Sequence, residues 1–158
     1  MSSTKPASPE IPLIGGLLRL CRQELLNAID REIAAAGMGD VRPAQYVVTQ
    51  QLAVRSEGLR VTELSSYAAI TKASMSALVD GLAANGYVER VADPSDQRAQ
   101  LVRFTPRGWQ FAKVARRAVT RVERAWAKRV GARELEAMRC TLRAIVDSRP
   151  DLVRHEKS

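Results

Sequence analysis

Apolar residues recur at steps of three and four along the first part of the chain, which is the spacing of one helix face. The pattern runs over residues 11–36 and comprises Ile14, Leu18, Cys21, Leu25, Ile29 and Ile33. Three further leucines widen this stripe beyond the width that one partner helix covers, and glycines after residue 36 end it. The sequence therefore predicts a long first helix whose apolar surface is wider than one partner helix can cover.

Three shorter helices are predicted next. A proline near the first turn favours a helix over residues 43–53. Thr62 is suited to cap a helix over residues 63–68, and Thr71 is suited to cap a longer one that ends near Gly86. Only two residues separate these last two helices, and that is the spacing of a helix-turn-helix.

The rest of the chain predicts a hairpin and two terminal helices. Residues 87–91 and 100–105 are rich in β-branched and aromatic side chains, and the polar tip between them, residues 92–98, contains proline, serine and two aspartates. Steps of three and four then return over residues 108–130 and 135–145. The expected fold class is mainly α, with six helices and one small β-hairpin.

The composition indicates a polyanionic partner. The chain of 158 residues has 25 Lys and Arg against 17 Asp and Glu, a formal net charge of +8, which favours nucleic acid or an anionic membrane surface. No stretch approaches the roughly 20 apolar residues that span a bilayer, and residues 1–10 form a polar tail, expected to be disordered, without the apolar core of a signal peptide. We therefore expect no membrane partner and a cytoplasmic protein, on the nucleoid when bound to DNA.

The sequence has few residues that could serve in catalysis or bind a metal. Cys21 and Cys140 are the two cysteines and His155 is the one histidine, so neither a disulfide framework nor a zinc site is indicated. The sequence has no glycine-rich phosphate loop and no histidine-centred dyad. We expect no enzyme activity, no catalytic residue, no metal and no cofactor.

The helix that Thr71 caps has two unlike faces. One is apolar and is expected to pack inward through Met75, Leu78, Val79 and Leu82. The opposite face carries small or hydrogen-bonding side chains that allow a helix to enter the roughly 12 Å major groove of DNA: Lys72, Ala73, Ser74, Ser76 and Ala77. Thr71 and Lys72, at the helix N-terminus, are better placed for phosphate groups than for bases.

Arg98 in the hairpin is the second candidate DNA contact. Asp96, two residues before it, is expected to hold the guanidinium group ready for the narrow minor groove. The flanking arginines are candidate phosphate contacts: Arg90, Arg103 and Arg107. Each feature alone is common in other folds, but their conjunction on a basic chain indicates DNA binding.

The segment 63–108 resembles the winged helix-turn-helix core of the MarR family, the multiple antibiotic resistance regulators. The matching residues are Glu63-Leu64, Ile70-Thr71-Lys72-Ala73, Leu78-Val79-Asp80, Leu82, Gly86-Tyr87-Val88-Glu89-Arg90, Asp93-Pro94, Asp96, Arg98 and Thr105-Pro106-Arg107-Gly108. The resemblance implies a DNA-binding domain over residues 42–108, in which the hairpin is the wing. It also implies dimerisation helices at residues 11–36 and 109–148, followed by a tail at residues 149–158. Such a homodimer holds two recognition helices over a pseudo-palindromic operator.

Two positions depart from the family pattern. Ala77 stands where many members carry an arginine, so selectivity is expected to rest more on Arg98 and on DNA shape. Ala69 replaces the glycine often seen in the turn, and we expect it to need only a tighter but ordinary turn.

The resemblance further implies a repressor that a small aromatic or lipophilic effector releases from DNA. Tyr46 and Trp109 are candidate ligand contacts, although large side chains at helical spacing usually belong to the core. One subgroup of the family responds instead to oxidation of a cysteine in its first helix, near tyrosines of the second, and Cys21 with Tyr46 fits that pattern. Buried cysteines are mostly inert, and Cys140 is expected to be such a packing residue.

Two other functions fit the same pattern. A winged-helix module can bind an acidic protein instead of DNA, and an architectural protein can bind DNA without an effector. Failure to retain any duplex at low salt would favour the first, and binding without sequence preference would favour the second.

Overall fold

The computed structural model describes residues 13–148, so the predicted tails at residues 1–10 and 149–158 lie outside the described residues. Within this range, six α-helices and a two-stranded antiparallel hairpin follow one another in the predicted order. Their bounds are α1 Ile14–Ala35, α2 Tyr46–Leu52, α3 Val61–Ala68, α4 Lys72–Ala84, β1 Val88–Asp93, β2 Asp96–Phe104, α5 Pro106–Val130 and α6 Ala132–Asp147, with a 3-10 turn at Pro43–Gln45 before α2. The predicted fold class, a mainly α winged helix-turn-helix, is confirmed.

The middle of the chain forms a winged lobe around one apolar core. α3 packs against α4, and α4 packs on β1. The residues buried most completely in this lobe are Val48, Leu52, Leu64, Met75, Val79, Leu82, Tyr87 and Val102. Burial of a side chain of this size contributes about 1.5–3 kcal/mol. This core therefore holds α4 in a defined position beside the wing.

α3 begins earlier than the sequence predicts. Its cap is Arg60, whose backbone N–H donates to Oε2 of Glu63 at 2.6 Å. Thr62 lies inside the helix, where its carbonyl oxygen accepts hydrogen bonds from the hydroxyls of Ser65 and Ser66. The prediction that Thr62 caps this helix was wrong, because the glutamate side chain already binds the backbone at Arg60.

The turn between α3 and α4 depends on an alanine in the left-handed conformation. Ala69 has φ 53° and ψ 39°, and within residues 13–148 it is the one residue other than glycine with a positive φ. This conformation costs an L-residue about 1–2 kcal/mol, so the expectation of an ordinary turn was wrong. The backbone N–H of Ile70 closes the turn by donating to the carbonyl oxygen of Ser65 at 3.2 Å. Thr71 then caps α4 as predicted, since its hydroxyl oxygen accepts the backbone N–H of Ser74 at 3.1 Å.

The wing has longer strands and a shorter tip than predicted. Its loop is confined to Pro94 and Ser95, so the predicted tip over residues 92–98 is too long. The register shifts near the tip, where Asp93 lies opposite Asp96, and residues 97–99 of β2 have no partner residue on β1. A bulge of this kind redirects side chains away from the sheet. Arg98 therefore projects from a bulge in β2.

Two glycines permit close approaches that fix the wing. Gly58 has φ 96°, and a Cβ there would lie 2.6 Å from the carbonyl oxygen of Val102. The next residue, Leu59, exchanges two backbone hydrogen bonds with Val102, at 2.9 and 2.8 Å. At Gly108, in the first turn of α5, a Cβ would lie 2.1 Å from the carbonyl oxygen of Tyr87. Larger residues at either position would separate the wing from its neighbours.

α1 and α5 pack along each other outside the winged lobe. Their buried residues are Ala28, Ile29 and Ile33 on α1, and Phe111, Ala118 and Val122 on α5. The N-terminal half of α1 is not covered, and Ile14 is 73% exposed. No helix of residues 13–148 combines the length and apolarity needed to cross a membrane.

Candidate nucleic-acid interface

α4 presents the two faces that the sequence predicts. On its inner face Met75, Val79 and Leu82 are fully buried, and Leu78 is half-buried. On its outer face, and at its cap, the exposed residues are Thr71, Lys72, Ala73, Ser74 and Ala77, with Ser76 half-buried. Apart from the lysine, only small side chains stand on the first two turns. This profile fits a helix that enters a major groove.

A groove of about 550 Å³ runs between the N-terminus of α4 and the wing. Its lining contains four cations: Arg60, Lys72, Arg90 and Arg98. The last three were predicted as DNA contacts, and the fold brings them together although they come from different elements. Their guanidinium and ammonium groups provide donors for phosphate oxygens and base edges.

Arg60 is the cation of this groove that sequence reasoning missed. Its Nε donates to Oδ2 of Asp93 at 2.7 Å, and its Nη2 lies 2.5 Å from the same oxygen. Asp93 is buried, and hydrogen bonds from Ser95, together with Arg60, lower its pKa to about 2. The pair ties the start of α3 to the end of the wing. Because the two residues are 33 positions apart, no local pattern reveals the contact.

Arg98 has a free guanidinium group in the part of the chain that the structure describes. The residue is exposed, and its hydrogen bond is made by its backbone N–H, which donates to Oδ1 of Asp96 at 3.0 Å. The other carboxylate oxygen of Asp96 lies 4.0 Å from Nη2 of Arg60. The prediction that Asp96 holds the guanidinium group was therefore wrong, because that carboxylate is used in the turn that starts β2.

Two of the predicted phosphate contacts are held in ion pairs. Arg90 donates to Oδ1 of Asp80 at 2.7 Å and to the hydroxyl of Ser76 at 3.2 Å. Arg103 donates to Oε1 of Glu89 at 2.8 Å, across the two strands. A phosphate contact by either arginine has to compete with these carboxylates. The Arg90 contacts join β1 to α4, so this side chain also positions the wing beside the recognition helix.

Arg107 belongs to a cluster behind the wing. Its Nη2 donates to Oδ2 of Asp40 at 3.2 Å and to the hydroxyl of Tyr87 at 3.1 Å, and its guanidinium carbon lies 4.6 Å from the centre of that ring. The Tyr87 hydroxyl donates to Asp40 at 2.6 Å, and burial raises the pKa of this tyrosine. The cluster connects the loop after α1 to the start of β1 and of α5. It links the winged lobe to the long helices.

A second groove, of about 920 Å³, lies between α2 and α5. Its apolar lining consists of Ile29, Ala53, Val54, Trp109, Phe111, Ala112, Ala115 and Val119. Trp109 is 41% exposed, and its ring packs edge-on against Phe104 with 5.1 Å between centroids. Tyr46 does not line the groove, because it is buried and its hydroxyl donates to Oδ1 of Asp30 at 2.5 Å. Of the two predicted ligand contacts, the structure places Trp109 in the groove and Tyr46 in the core.

The two cysteines differ from the sequence-based picture. Cys21 is free and half-buried in α1. The Tyr46 hydroxyl is bonded to Asp30, nine residues further along the same helix and so roughly 13 Å from Cys21 along its axis. Within one chain, Tyr46 is therefore not the neighbour that the oxidation-sensing pattern requires. Cys140 was expected to be a packing residue, but it is exposed on α6.

Comparisons with known proteins agree with this geometry. Residues 43–99 match the model of the MarR family. The fold is similar to that of CouR from Rhodococcus jostii RHA1 bound to p-coumaroyl-CoA, with a TM-score of 0.68 and 25% identity over 86% of this chain and 93% of that chain. CouR bound to a 23-mer DNA duplex gives a TM-score of 0.65 and 25% identity, covering 85% of this chain and 92% of that chain.

The apo form of MarR from E. coli shares the same fold. Its TM-score is 0.65 with 21% identity, over 86% of this chain and 98% of that chain. None of the curated proteins matches the sequence.

Proposed function

We propose that this chain is a transcription regulator of the MarR type, a homodimeric repressor that a small effector releases from a pseudo-palindromic operator. Residues 43–99 match the model of that family. The observation that carries the DNA part is the groove between α4 and the wing, where Arg60, Lys72 and Arg98 share one surface. The small side chains of α4 enter the major groove, and Arg98 reaches the adjacent minor groove. This division of contacts suits a recognition helix beside a basic wing.

The Arg90 and Arg60 ion pairs hold this surface in shape before DNA arrives. Arg90 fastens β1 to α4 through Asp80, and Arg60 fastens the end of the wing through Asp93. A preorganised surface loses less conformational entropy on binding than a mobile one. We therefore assign Arg98 and Lys72 as direct contacts and these two arginines as positioning residues.

Uncovered apolar surface near both ends of the described range supports a homodimer. At the start of α1 and at its N-cap, residues 13–20 include five large apolar residues that are 42–86% exposed. On α6, Met138, Ile145 and Val146 are 42–57% exposed. Exposed apolar patches of this kind usually mark an interface, and a twofold dimer buries the same patch on both copies. The two recognition helices then face successive half-sites.

The groove between α2 and α5 is the proposed effector site. It is mostly apolar, includes an exposed tryptophan, and lies where the winged lobe meets the long helices. A relative of the same fold is bound to p-coumaroyl-CoA, an aromatic thioester, which supports an aromatic effector here. For complete release, the effector has to favour the geometry unfit for DNA by about 5.5 kcal/mol.

A mobility-shift assay on the DNA that flanks the gene tests the proposal. The protein is expected to retain a specific fragment in excess competitor DNA, and an aromatic acid or thioester from a panel is expected to release it. Peroxide followed by thiol in the same assay tests oxidation through Cys21. Retention of no fragment at low salt would contradict the proposal and favour a protein-binding module.

A further inference from the structure

The positive charge of the chain is concentrated on α5 and not on the DNA-binding surface. α5 contains eight Lys and Arg residues and one acidic residue, Glu123, which gives it a formal charge of +7 against +8 for the whole chain. α4 and the two strands together carry four cations and four acids. The net charge of the chain therefore does not come from the recognition helix and the wing, and the excess of cations on α5 requires a separate explanation.

Five of the α5 cations lie along one exposed side of the helix. We call this side the α5 basic face: Lys113, Arg116, Arg117, Arg121 and Arg124, with Thr120 among them. Their steps of three and four place them on one side of the helix. That side is opposite to the buried residues Phe111, Ala118 and Val122.

Most of these cations lack a counter-ion among residues 13–148. Arg121 pairs with Glu32. For Lys113, Arg116, Arg117 and Arg124, no ion pair occurs with any described residue. Like charges three and four residues apart destabilise a helix, so the protein carries an arrangement that an anion with several charges would relieve.

The basic face is continuous with the apolar groove between α2 and α5. Three residues line both: Lys113, Arg116 and Thr120. The apolar groove of about 920 Å³ therefore opens directly onto the cations of the α5 basic face. None of the five cations lines the groove between α4 and the wing. A duplex has no apolar part to fill the adjoining floor, whereas an amphiphilic anion has both a charged part and an apolar part.

We propose that the α5 basic face binds the polyphosphate head of an amphiphilic effector whose aromatic or acyl body fills the apolar groove. The chemical class is an acyl or aroyl thioester of a carrier that bears several phosphates. Arginine binds phosphate through paired donors, and the apolar groove excludes water from the body. The role as an effector rests on the proposed function, but binding of the head and body does not require DNA.

Calorimetric titration of the full chain without DNA tests this site. The probes are benzoyl-CoA, benzamide as the uncharged body alone and coenzyme A as the head alone. The test variant is R116Q/R117Q/R124Q. The matched control, K128Q/R129Q/R133Q, removes the same charge from positions outside the α5 basic face and the apolar groove.

Benzoyl-CoA is expected to bind the unmodified protein more tightly than either fragment. The test variant should lose about tenfold or more of the affinity for benzoyl-CoA and for coenzyme A, as charge-assisted contacts are removed. Its affinity for benzamide, which has no charge, and the affinities of the control variant should not change. Added salt should weaken the binding of benzoyl-CoA and coenzyme A and not that of benzamide.

Three results would overturn the assignment. The first is no heat of binding with benzoyl-CoA, and the second is equal affinity in the test variant and the unmodified protein. The third is preferential binding of vesicles of anionic phospholipid or of duplex DNA through these arginines. A protein that binds benzoyl-CoA but retains no duplex contradicts the repressor proposal alone, and one that retains its operator but binds no probe contradicts this inference alone.

Discussion

The left-handed alanine between the two helices of the DNA-binding motif yields a measurable stability difference. Replacing Ala69 with glycine removes the steric cost of φ 53°, about 1–2 kcal/mol for an L-residue. Glycine also makes the unfolded chain more flexible, which costs about 0.4–1 kcal/mol. The Ala69 side chain is exposed, so its loss forfeits little packing. The net effect expected for Ala69→Gly is a gain in the free energy of unfolding of up to about 1.5 kcal/mol.

Ala77→Gly provides the matched control. Ala77 is also an exposed alanine, but it lies inside α4, where glycine costs about 1 kcal/mol. Urea unfolding followed by circular dichroism measures both variants. The midpoint should rise or stay level for Ala69→Gly and fall for Ala77→Gly. If Ala69→Gly destabilises the protein as much as Ala77→Gly does, the turn does not hold the left-handed conformation and the reasoning is refuted.

Three further predictions concern single side chains. Arg98→Ala should weaken operator binding by about 1–3 kcal/mol, as measured by anisotropy titration. Arg103→Ala should weaken it much less, because the Arg103 side chain is already paired with Glu89. The pKa of Asp93 is about 2, against an ordinary 3.8, so the ionised carboxylate stabilises the fold above about pH 4 and this stabilisation is lost as the pH falls towards 2. In acid titrations, the Asp93→Asn variant should lose less stability over that pH range than the unmodified protein. Tyr46→Phe removes a hydrogen bond to a carboxylate and should lower the free energy of unfolding by about 1.5–3 kcal/mol. An unchanged midpoint of urea unfolding would show that this hydrogen bond does not stabilise the fold.

The order and type of the elements could be predicted because each helix has a local signature. The apolar steps of α1 and α5 and the cap at Thr71 depend on residues within a few positions of one another. The two faces of α4 follow from the same periodicity. For this reason the fold class, and the candidate contacts at Lys72 and Ala77, could be proposed from the order of residues alone.

What the sequence did not reveal depends on contacts between distant residues or on backbone conformation. The pairing of Arg60 with Asp93 spans 33 positions, and the bulge at Arg98 depends on strand register. The use of an alanine at φ 53° departs from the glycine expected there. The net charge of the chain also did not predict where the DNA-binding surface lies, because it does not show which helix carries the excess of Lys and Arg.

The salt dependence of operator binding tests the central claim most directly. Roughly six to ten phosphate contacts per dimer should make the affinity fall by about 10³ to 10⁵ between 50 and 200 mM salt. Anisotropy titrations of the operator fragment against protein at several salt concentrations measure this slope. The account predicts a steep linear fall of log affinity with log salt, which becomes shallower in the variant without the Arg98 side chain. An affinity that does not change with salt would contradict the claim that this protein binds the DNA backbone through the wing and recognition helix.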